Sequence, residues 1–186
     1  MRNRLIKNSI VLAVLLLFGT MAIAQRSPRQ ELQYLYNTAY QLQKDYKPSD
    51  AIRCLYASLK IDSNFIPAYN LMGYIFEESF AQYDSAEYYY QKTLHINPRY
   101  VKGYINLGHL AYLRRDYTQA VSFNEKALQL DTNCAEAYFN LGWIANEQNL
   151  LHEAIIYMKK ASQKGSGMAD KWLASLNERN GERLQE

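Results

Sequence analysis

Few side chains in this 186-residue sequence have the chemistry of a catalytic or metal site, and they are scattered along it. The histidines are His95, His109 and His152, and the cysteines are Cys54 and Cys134. A catalytic or metal site needs several such groups at one place. The sequence has no H-x-x-x-H or C-x-x-C spacing and no glycine-rich loop suited to phosphate. We therefore expect a chain that is not an enzyme and that binds no metal or cofactor.

A small residue followed by an alanine recurs four times, and this spacing defines the elements that position all the other side chains. The small residues are Ala39, Gly73, Gly108 and Gly142, and the alanines are Ala51, Ala86, Ala120 and Ala154. The copies begin at Leu32, Ile66, Val101 and Ala135, at intervals of 34, 35 and 34 residues. A fixed period in this range indicates an array of helical repeats. It divides the chain into an N-terminal segment at 25–31, four repeats at 32–65, 66–100, 101–134 and 135–168, and a last segment at 169–186.

Each copy has the pattern of two amphipathic helices joined by a turn. In the third copy, Tyr104 and Leu107 begin one apolar stripe, Arg115-Asp116-Tyr117 interrupts it, and a second stripe starts at Ala120. The second copy carries one extra residue near 80–82, in the same turn. Glycine inside a helix costs roughly 0.5–1 kcal/mol relative to alanine. Its recurrence predicts that the small residues let the two helices of a repeat approach closely.

The last segment has the pattern of a single helix that covers the end of the array. Gly165-Ser166-Gly167 is expected to end the eighth helix. An amphipathic stripe that includes Trp172 then runs from Ala169 to Glu178, and Asn180-Gly181 is expected to end it. Terminal helices of this kind keep the core surface of the last repeat away from water.

The first 24 residues have the composition of an export signal. Arg2, Arg4 and Lys7 precede an apolar run from Ile10 to Phe18, and Ala22-Ile23-Ala24 has the small-residue pattern of a cleavage site. We expect cleavage after Ala24 and a periplasmic or secreted bacterial protein. The alternative is an uncleaved N-terminal membrane anchor, which needs about 20 apolar residues.

Removal of this segment leaves the chain formally neutral. It contains three of the 21 lysines and arginines and none of the 18 aspartates and glutamates, so 18 of each sign remain. Nucleic-acid binding requires clustered basic charge. We therefore expect no nucleic-acid partner, and contact with a membrane only if the export segment stays attached.

The two cysteines would lie in an oxidising compartment, where pairing is common. Cys54 falls in the second helix of the first repeat, and Cys134 falls in the turn that opens the fourth. A disulfide needs Cα atoms within about 7 Å, whereas two intervening repeats separate these residues. Free thiols are expected, with an intermolecular bond through Cys134 as the alternative.

The repeats resemble the tetratricopeptide repeat over residues 32–168. The matching positions are Tyr138, Leu141, Gly142, Ala154 and Ala161 in the fourth copy, and Tyr69, Gly73, Ala86, Tyr90 and Pro98 in the second. Thr38 replaces the expected leucine, so the first copy is degenerate. The resemblance implies an all-α, right-handed superhelical solenoid of four helix-turn-helix units plus a C-terminal capping helix.

The resemblance also implies which residues face a concave groove. We expect the groove to contain Tyr36, Asn37, Tyr40, Asn70, Tyr74, Asn106, His109, Tyr112, Phe139, Asn140 and Trp143. The same repeat positions add Gln43, Lys44, Leu71, Glu77, Glu78, Ile105, Leu113, Asn146 and Glu147. Asparagine amides can donate to and accept from a peptide backbone, and aromatic rings supply contact area.

These features favour a non-enzymatic scaffold that binds an extended peptide or protein in the groove. One alternative is glycan or cell-wall binding by the aromatic residues, and another is self-assembly by end-to-end stacking into a homo-oligomer. The basic clamp that some relatives use for a C-terminal carboxylate is incomplete. Lys102 fits it, but Glu136 and Asn140 occupy positions where it requires cations.

Overall fold

The structure is a computed structural model that describes residues 26–183, and this part of the chain is all-helical. The helices are α1 (Pro28–Lys44), α2 (Pro48–Ile61), α3 (Ile66–Glu78), α4 (Tyr83–Ile96), α5 (Val101–Leu113), α6 (Tyr117–Leu130), α7 (Ala135–Glu147), α8 (Leu151–Gln163) and α9 (Gly167–Arg183). The first helix begins before the repeat does, because Ser27 caps it together with Gln30 and Pro28 opens its first turn.

Helices α1 to α8 pack as four consecutive hairpins, each formed by two neighbouring helices. Every hairpin packs on the next one, and α9 packs on α8. The first helices of successive hairpins, α1, α3, α5 and α7, also contact one another. They therefore line a common face of the stack. The array of helical repeats predicted from the period is confirmed, as is the all-α solenoid that the resemblance implies.

The turn inside each hairpin is closed by the same backbone arrangement. One residue of the turn has a positive φ, as in Ala81 (51°) and Arg115 (63°). The backbone N–H of the next residue donates a hydrogen bond to a carbonyl in the last turns of the preceding helix. In the third hairpin this bond joins Asp116 to the carbonyl of Ala111, five residues earlier, at 2.9 Å. In the second hairpin it joins Gln82 to Phe76, six residues earlier. The extra residue predicted in this turn is confirmed.

Side chains also fix the turns between hairpins. Asn97 Oδ1 accepts the Arg99 backbone N–H at 2.9 Å, which is a local turn that asparagine favours. The Tyr104 hydroxyl donates to the Pro98 carbonyl at 3.0 Å, and Tyr69 makes the equivalent bond one repeat earlier. In the second and third repeats, the tyrosine near the start of the repeat thus ties the first helix to the preceding turn.

The small residues lie where the paired helices approach most closely. Ala86 and Ala120 are fully buried. A methyl group on Gly73 would lie 2.4 Å from a ring carbon of Tyr90, and one on Gly108 would lie 2.4 Å from Asn124 Nδ2. Such distances exclude any larger residue without a shift of the neighbour, so the predicted close packing is confirmed.

Helix α9 covers the end of the fourth hairpin. Ala169 is fully buried in a cluster with Met158 and Ala161, and Trp172 packs against it. The helix starts two residues earlier than predicted, with the Ser166 hydroxyl accepting the Ala169 N–H at 3.3 Å. It also continues to Arg183, so the predicted end at Asn180-Gly181 is wrong. A helix tolerates one glycine near its end at a penalty of about 1 kcal/mol relative to alanine.

Both cysteines of the described part are free thiols and partly buried, in separate apolar clusters. Within residues 26–183, no helix has the length and apolar character needed to cross a bilayer. The predicted export segment, residues 1–24, lies outside the described residues.

Candidate binding groove

The common face of α1, α3, α5 and α7 contains two adjoining pockets. Ten of the eleven groove residues predicted from the repeat register line one pocket or the other. Asn37 lines neither pocket. Its side-chain oxygen Oδ1 accepts a hydrogen bond from Gln33 Nε2 at 2.8 Å, one turn earlier on the exposed side of α1.

The first pocket, which we term the aromatic pocket, lies between α5 and α7 and has a volume of about 210 Å³. It is lined by Gly108, His109, Tyr112, Phe139, Asn140, Trp143 and Ile144. The His109 and Tyr112 rings stack with centroids 6.4 Å apart, and those of Phe139 and Trp143 are 5.9 Å apart. Trp143 Nε1 donates to the Tyr112 hydroxyl at 2.8 Å, which links the two ring pairs.

The second, which we term the lysine pocket, is more open, with a volume of about 500 Å³. It is lined by Tyr36, Tyr40, Gln43, Lys44, Tyr46, Asn70, Leu71, Tyr74, Lys102 and Asn106. Its lining includes two lysines and no carboxylate. Lys44 Nζ lies 5.0 Å from the centre of the Tyr40 ring, a cation–π contact.

The groove asparagines are held in place by other amides. Asn106 Nδ2 donates to Asn70 Oδ1 at 2.7 Å, between α5 and α3. Asn140 Nδ2 donates to Asn124 Oδ1 at 3.1 Å, and Asn124 is itself fixed to the Ala120 carbonyl at 2.8 Å. Because an amide has two N–H donors and a carbonyl acceptor, each groove asparagine keeps hydrogen-bonding capacity in a fixed orientation.

The prediction that Glu77 faces the groove is wrong, because its side chain is only 4% exposed. Its carboxylate accepts the Tyr90 hydroxyl at 2.9 Å and lies 2.6 Å from His109 Nδ1. These partners come from α4 and α5, so one buried carboxylate joins three helices. Ile105 was also expected in the groove, but it is 4% exposed and packs in the core as an apolar residue.

His109 connects this buried carboxylate to the groove. Its hydrogen bond to Glu77 raises the pKa of the imidazole, although partial burial opposes the shift. The Glu77 carboxylate thus favours the protonated ring, and the charge of that ring is matched from inside the protein.

This raised pKa predicts a pH-dependent contribution of His109 to stability. The contribution is present in full below the ordinary histidine pKa of about 6.5 and is lost as the pH rises through the folded-state value. Because the side chain is 42% exposed, we expect the His109→Ala penalty to fall by about 1 kcal/mol or less. Urea unfolding of both proteins between pH 6 and pH 9 measures this change.

The control is the same comparison in a Glu77→Gln background, where we expect the pH dependence of the His109→Ala penalty to become smaller, because the largest cause of the raised pKa is then removed while Glu78 and Glu136 remain. A penalty that is equal at every pH in the native background would contradict the assignment.

Tyr46 and Lys102 also line the lysine pocket, although neither stands at the five repeat positions expected to face the groove. From the sequence, Lys102 is expected only as a residue that fits the basic clamp. A detectable signal exists for Lys102, because it lies four residues before Asn106 and residues at that spacing share a helical face. Tyr46 has no such signal, since it lies in the turn after α1 with a φ of 57°.

A family model identifies the repeat unit that builds this groove. The model of the tetratricopeptide repeat matches residues 101–134 and residues 135–163 in succession. Over these two segments the chain is similar to the tetratricopeptide repeat. The two matched segments are the hairpins α5–α6 and α7–α8, which carry the aromatic pocket.

Solved structures with this fold include two MamA proteins and a TPR from RPAP3. "Crystal structure of MamA" is 23% identical, with a TM-score of 0.61, and the match covers 75% of this chain and 81% of that one. MamA 41-end from Desulfovibrio magneticus RS-1 is 19% identical, with a TM-score of 0.63 and coverage of 83% and 88%. The first TPR of Spaghetti (RPAP3), bound to the HSP90 peptide SRMEEVD, is 20% identical, with a TM-score of 0.58 and coverage of 64% and 94%. A search of curated protein sequences found no match.

Proposed function

We propose that this TPR chain is a non-enzymatic scaffold that binds an extended segment of another protein along its concave face. The observation that supports this best is the pair of adjoining pockets, which combine exposed rings with oriented amides. Tyr40, Tyr74 and Trp143 are 47%, 41% and 37% exposed, so their rings offer contact area to a partner. The oriented amides suit the alternating N–H and C=O groups of an extended backbone.

The RPAP3 domain supports the proposal by its ligand. That domain has the same fold and was solved with a peptide bound. The proposed place of action is the periplasm or the cell exterior, and this rests on the composition of residues 1–24. Self-assembly through the last repeat is less favoured than partner binding, because α9 already covers that end of the stack.

Replacement of Tyr74 and Trp143 by alanine together is expected to weaken partner capture at least about 10-fold, since each loses aromatic contact area. To measure capture, a photoreactive amino acid replaces Gln43, which lines the lysine pocket, in the protein made in living cells. The yield of polypeptide cross-linked to it reports how much partner is bound. The thermal melt should stay close to that of the native protein, because both side chains are exposed.

The matched control is the double variant Tyr56→Ala/Tyr88→Ala. These tyrosines are 48% and 53% exposed, but they lie on α2 and α4, among the second helices of the hairpins. Equal adduct yield from both double variants would remove the groove from the proposal. Retention on purified polysaccharide without any polypeptide adduct would favour the glycan alternative instead.

A further inference from the structure

His109 has one ring nitrogen fixed to the protein interior and one left for the groove. Its Nδ1 lies 2.6 Å from a carboxylate oxygen of Glu77, a side chain that is only 4% exposed. The His109 side chain is 42% exposed and lines the aromatic pocket. Within residues 26–183, no group forms a hydrogen bond with its second nitrogen, Nε2. One side of the ring is therefore anchored, and the other is available to an occupant of the pocket.

The buried carboxylate decides where the His109 ring carries its protons. In a neutral imidazole one nitrogen bears a proton and donates, and the other accepts. The Glu77 carboxylate only accepts, so it holds that proton on Nδ1. Neutral His109 thus offers an acceptor to the pocket, whereas protonated His109 offers an N–H donor at Nε2. The hydrogen-bonding character of the groove at this point therefore changes with a single proton.

The groups around His109 favour the protonated ring. The charges of the described residues that act on it are the carboxylates of Glu77 and Glu78 on α3 and of Glu136 on α7, and none of them comes from α6. Helix α4 contributes the Tyr90 hydroxyl, which donates to Glu77 at 2.9 Å rather than to the ring. The hydrogen bond to Glu77 and these charges raise the pKa of His109, although burial opposes the shift. The positive charge of the ring is therefore neutralised by the protein itself.

An extended segment in the aromatic pocket supplies the matching acceptor, because every residue of a backbone carries a carbonyl. The neighbouring polar groups already use part of their capacity. Trp143 Nε1, the sole donor of an indole, is bonded to the Tyr112 hydroxyl at 2.8 Å. Asn140 uses one of its two N–H groups on Asn124. Protonated His109 adds a charged donor, and charge-assisted hydrogen bonds are roughly twice as strong as neutral ones.

We infer that protonated His109 donates from Nε2 to a backbone carbonyl of the bound segment, so that the groove holds its partner at lower pH and releases it as the ring loses its proton. The inference rests on the proposed function and adds a proton-controlled contact to it. Glu77 is a positioning residue in this arrangement, because it orients the ring and fixes its protons without touching the partner.

Peptides selected at pH 6 from a phage-displayed random 12-residue library on the purified protein test the inference. The probe is a selected peptide without histidine or cysteine, acetylated and amidated at its ends. We expect its Kd to rise about 10-fold or more between pH 6 and pH 9, because the charged donor is lost as the pH passes the raised pKa of His109. By reciprocity, bound peptide should raise that pKa further, which an NMR titration of the ring in the native protein measures.

Two variants separate this contact from a general effect of pH. His109→Gln keeps a neutral amide donor, and its Kd for the peptide should change less than about 2-fold over the same range. Glu77→Gln removes the charge bonded to Nδ1 while Glu78 and Glu136 remain, so the midpoint of the binding profile should move to lower pH. Equal Kd values at pH 6 and pH 9, or an equal rise in native and His109→Gln protein, overturn the inference and leave the proposed function standing. Failure of every peptide to bind at any pH overturns both.

Discussion

Replacing Tyr90 with alanine is expected to lower the free energy of unfolding by about 3–5 kcal/mol, the range for large buried side chains. Tyr90 is 1% exposed and is among the largest fully buried side chains of residues 26–183. Its ring fills the space above Gly73 and packs with Leu107 and Leu110. Its hydroxyl donates to the buried Glu77 carboxylate at 2.9 Å. The substitution therefore creates a cavity and also removes a partner of a buried charge.

Urea unfolding followed by far-UV circular dichroism measures this loss. The matched variant is Tyr90→Phe, which keeps the ring and removes only the hydroxyl bond to Glu77, for an expected loss of about 1–2 kcal/mol. The difference between the two variants gives the contribution of the ring. Equal losses would show that the hydroxyl bond dominates, and losses below about 1 kcal/mol in both would contradict the buried role of Tyr90.

The fold could be predicted from the sequence because its period reflects helix packing alone. A small residue is needed where a side chain of the paired helix lies against the backbone, and in the second, third and fourth hairpins these side chains are Tyr90, Asn124 and Met158. The same register assigned the face of α1, α3, α5 and α7, so most groove residues could be named in advance. Asn37 is an exception, because it contacts Gln33 on its own helix and lines neither pocket.

The burial of Glu77 could not be predicted from the sequence, because it depends on partners from other helices. Tyr90 is 13 residues away and His109 is 32 residues away. A carboxylate is almost never fully buried unless it is paired. The repeat position alone therefore predicts an exposed side chain for Glu77, which is the more common case for a glutamate. Its partners Tyr90 and His109 come together with it only in the folded structure.

The continuation of α9 past Asn180-Gly181 could not be predicted from the sequence either. Residues of this kind favour the end of a helix at their position but do not require it.

Substitution of Gly73 by alanine is expected to lower the free energy of unfolding by about 2–3 kcal/mol, within the range for overpacked cores. By contrast, Gly142→Ala should remain within about 1 kcal/mol of the native protein. A methyl group at Gly73 would lie 2.4 and 2.5 Å from two ring carbons of Tyr90. At Gly142 the nearest atoms belong to Met158, at 3.0–3.2 Å, and a methionine side chain adapts more easily than a ring.

The reason for this contrast is that the Tyr90 ring is held at both ends, by its backbone on α4 and by its hydroxyl on Glu77. Release of the hydroxyl should let the ring tilt away from the added methyl group. The double variant Gly73→Ala/Tyr90→Phe is therefore expected to lose less stability than the sum of the two single losses, by at least about 0.5 kcal/mol. Urea unfolding of the four proteins in the cycle measures this coupling. Strict additivity, or a loss at Gly142 as large as that at Gly73, would show that the backbone rather than the fixed ring resists the methyl group.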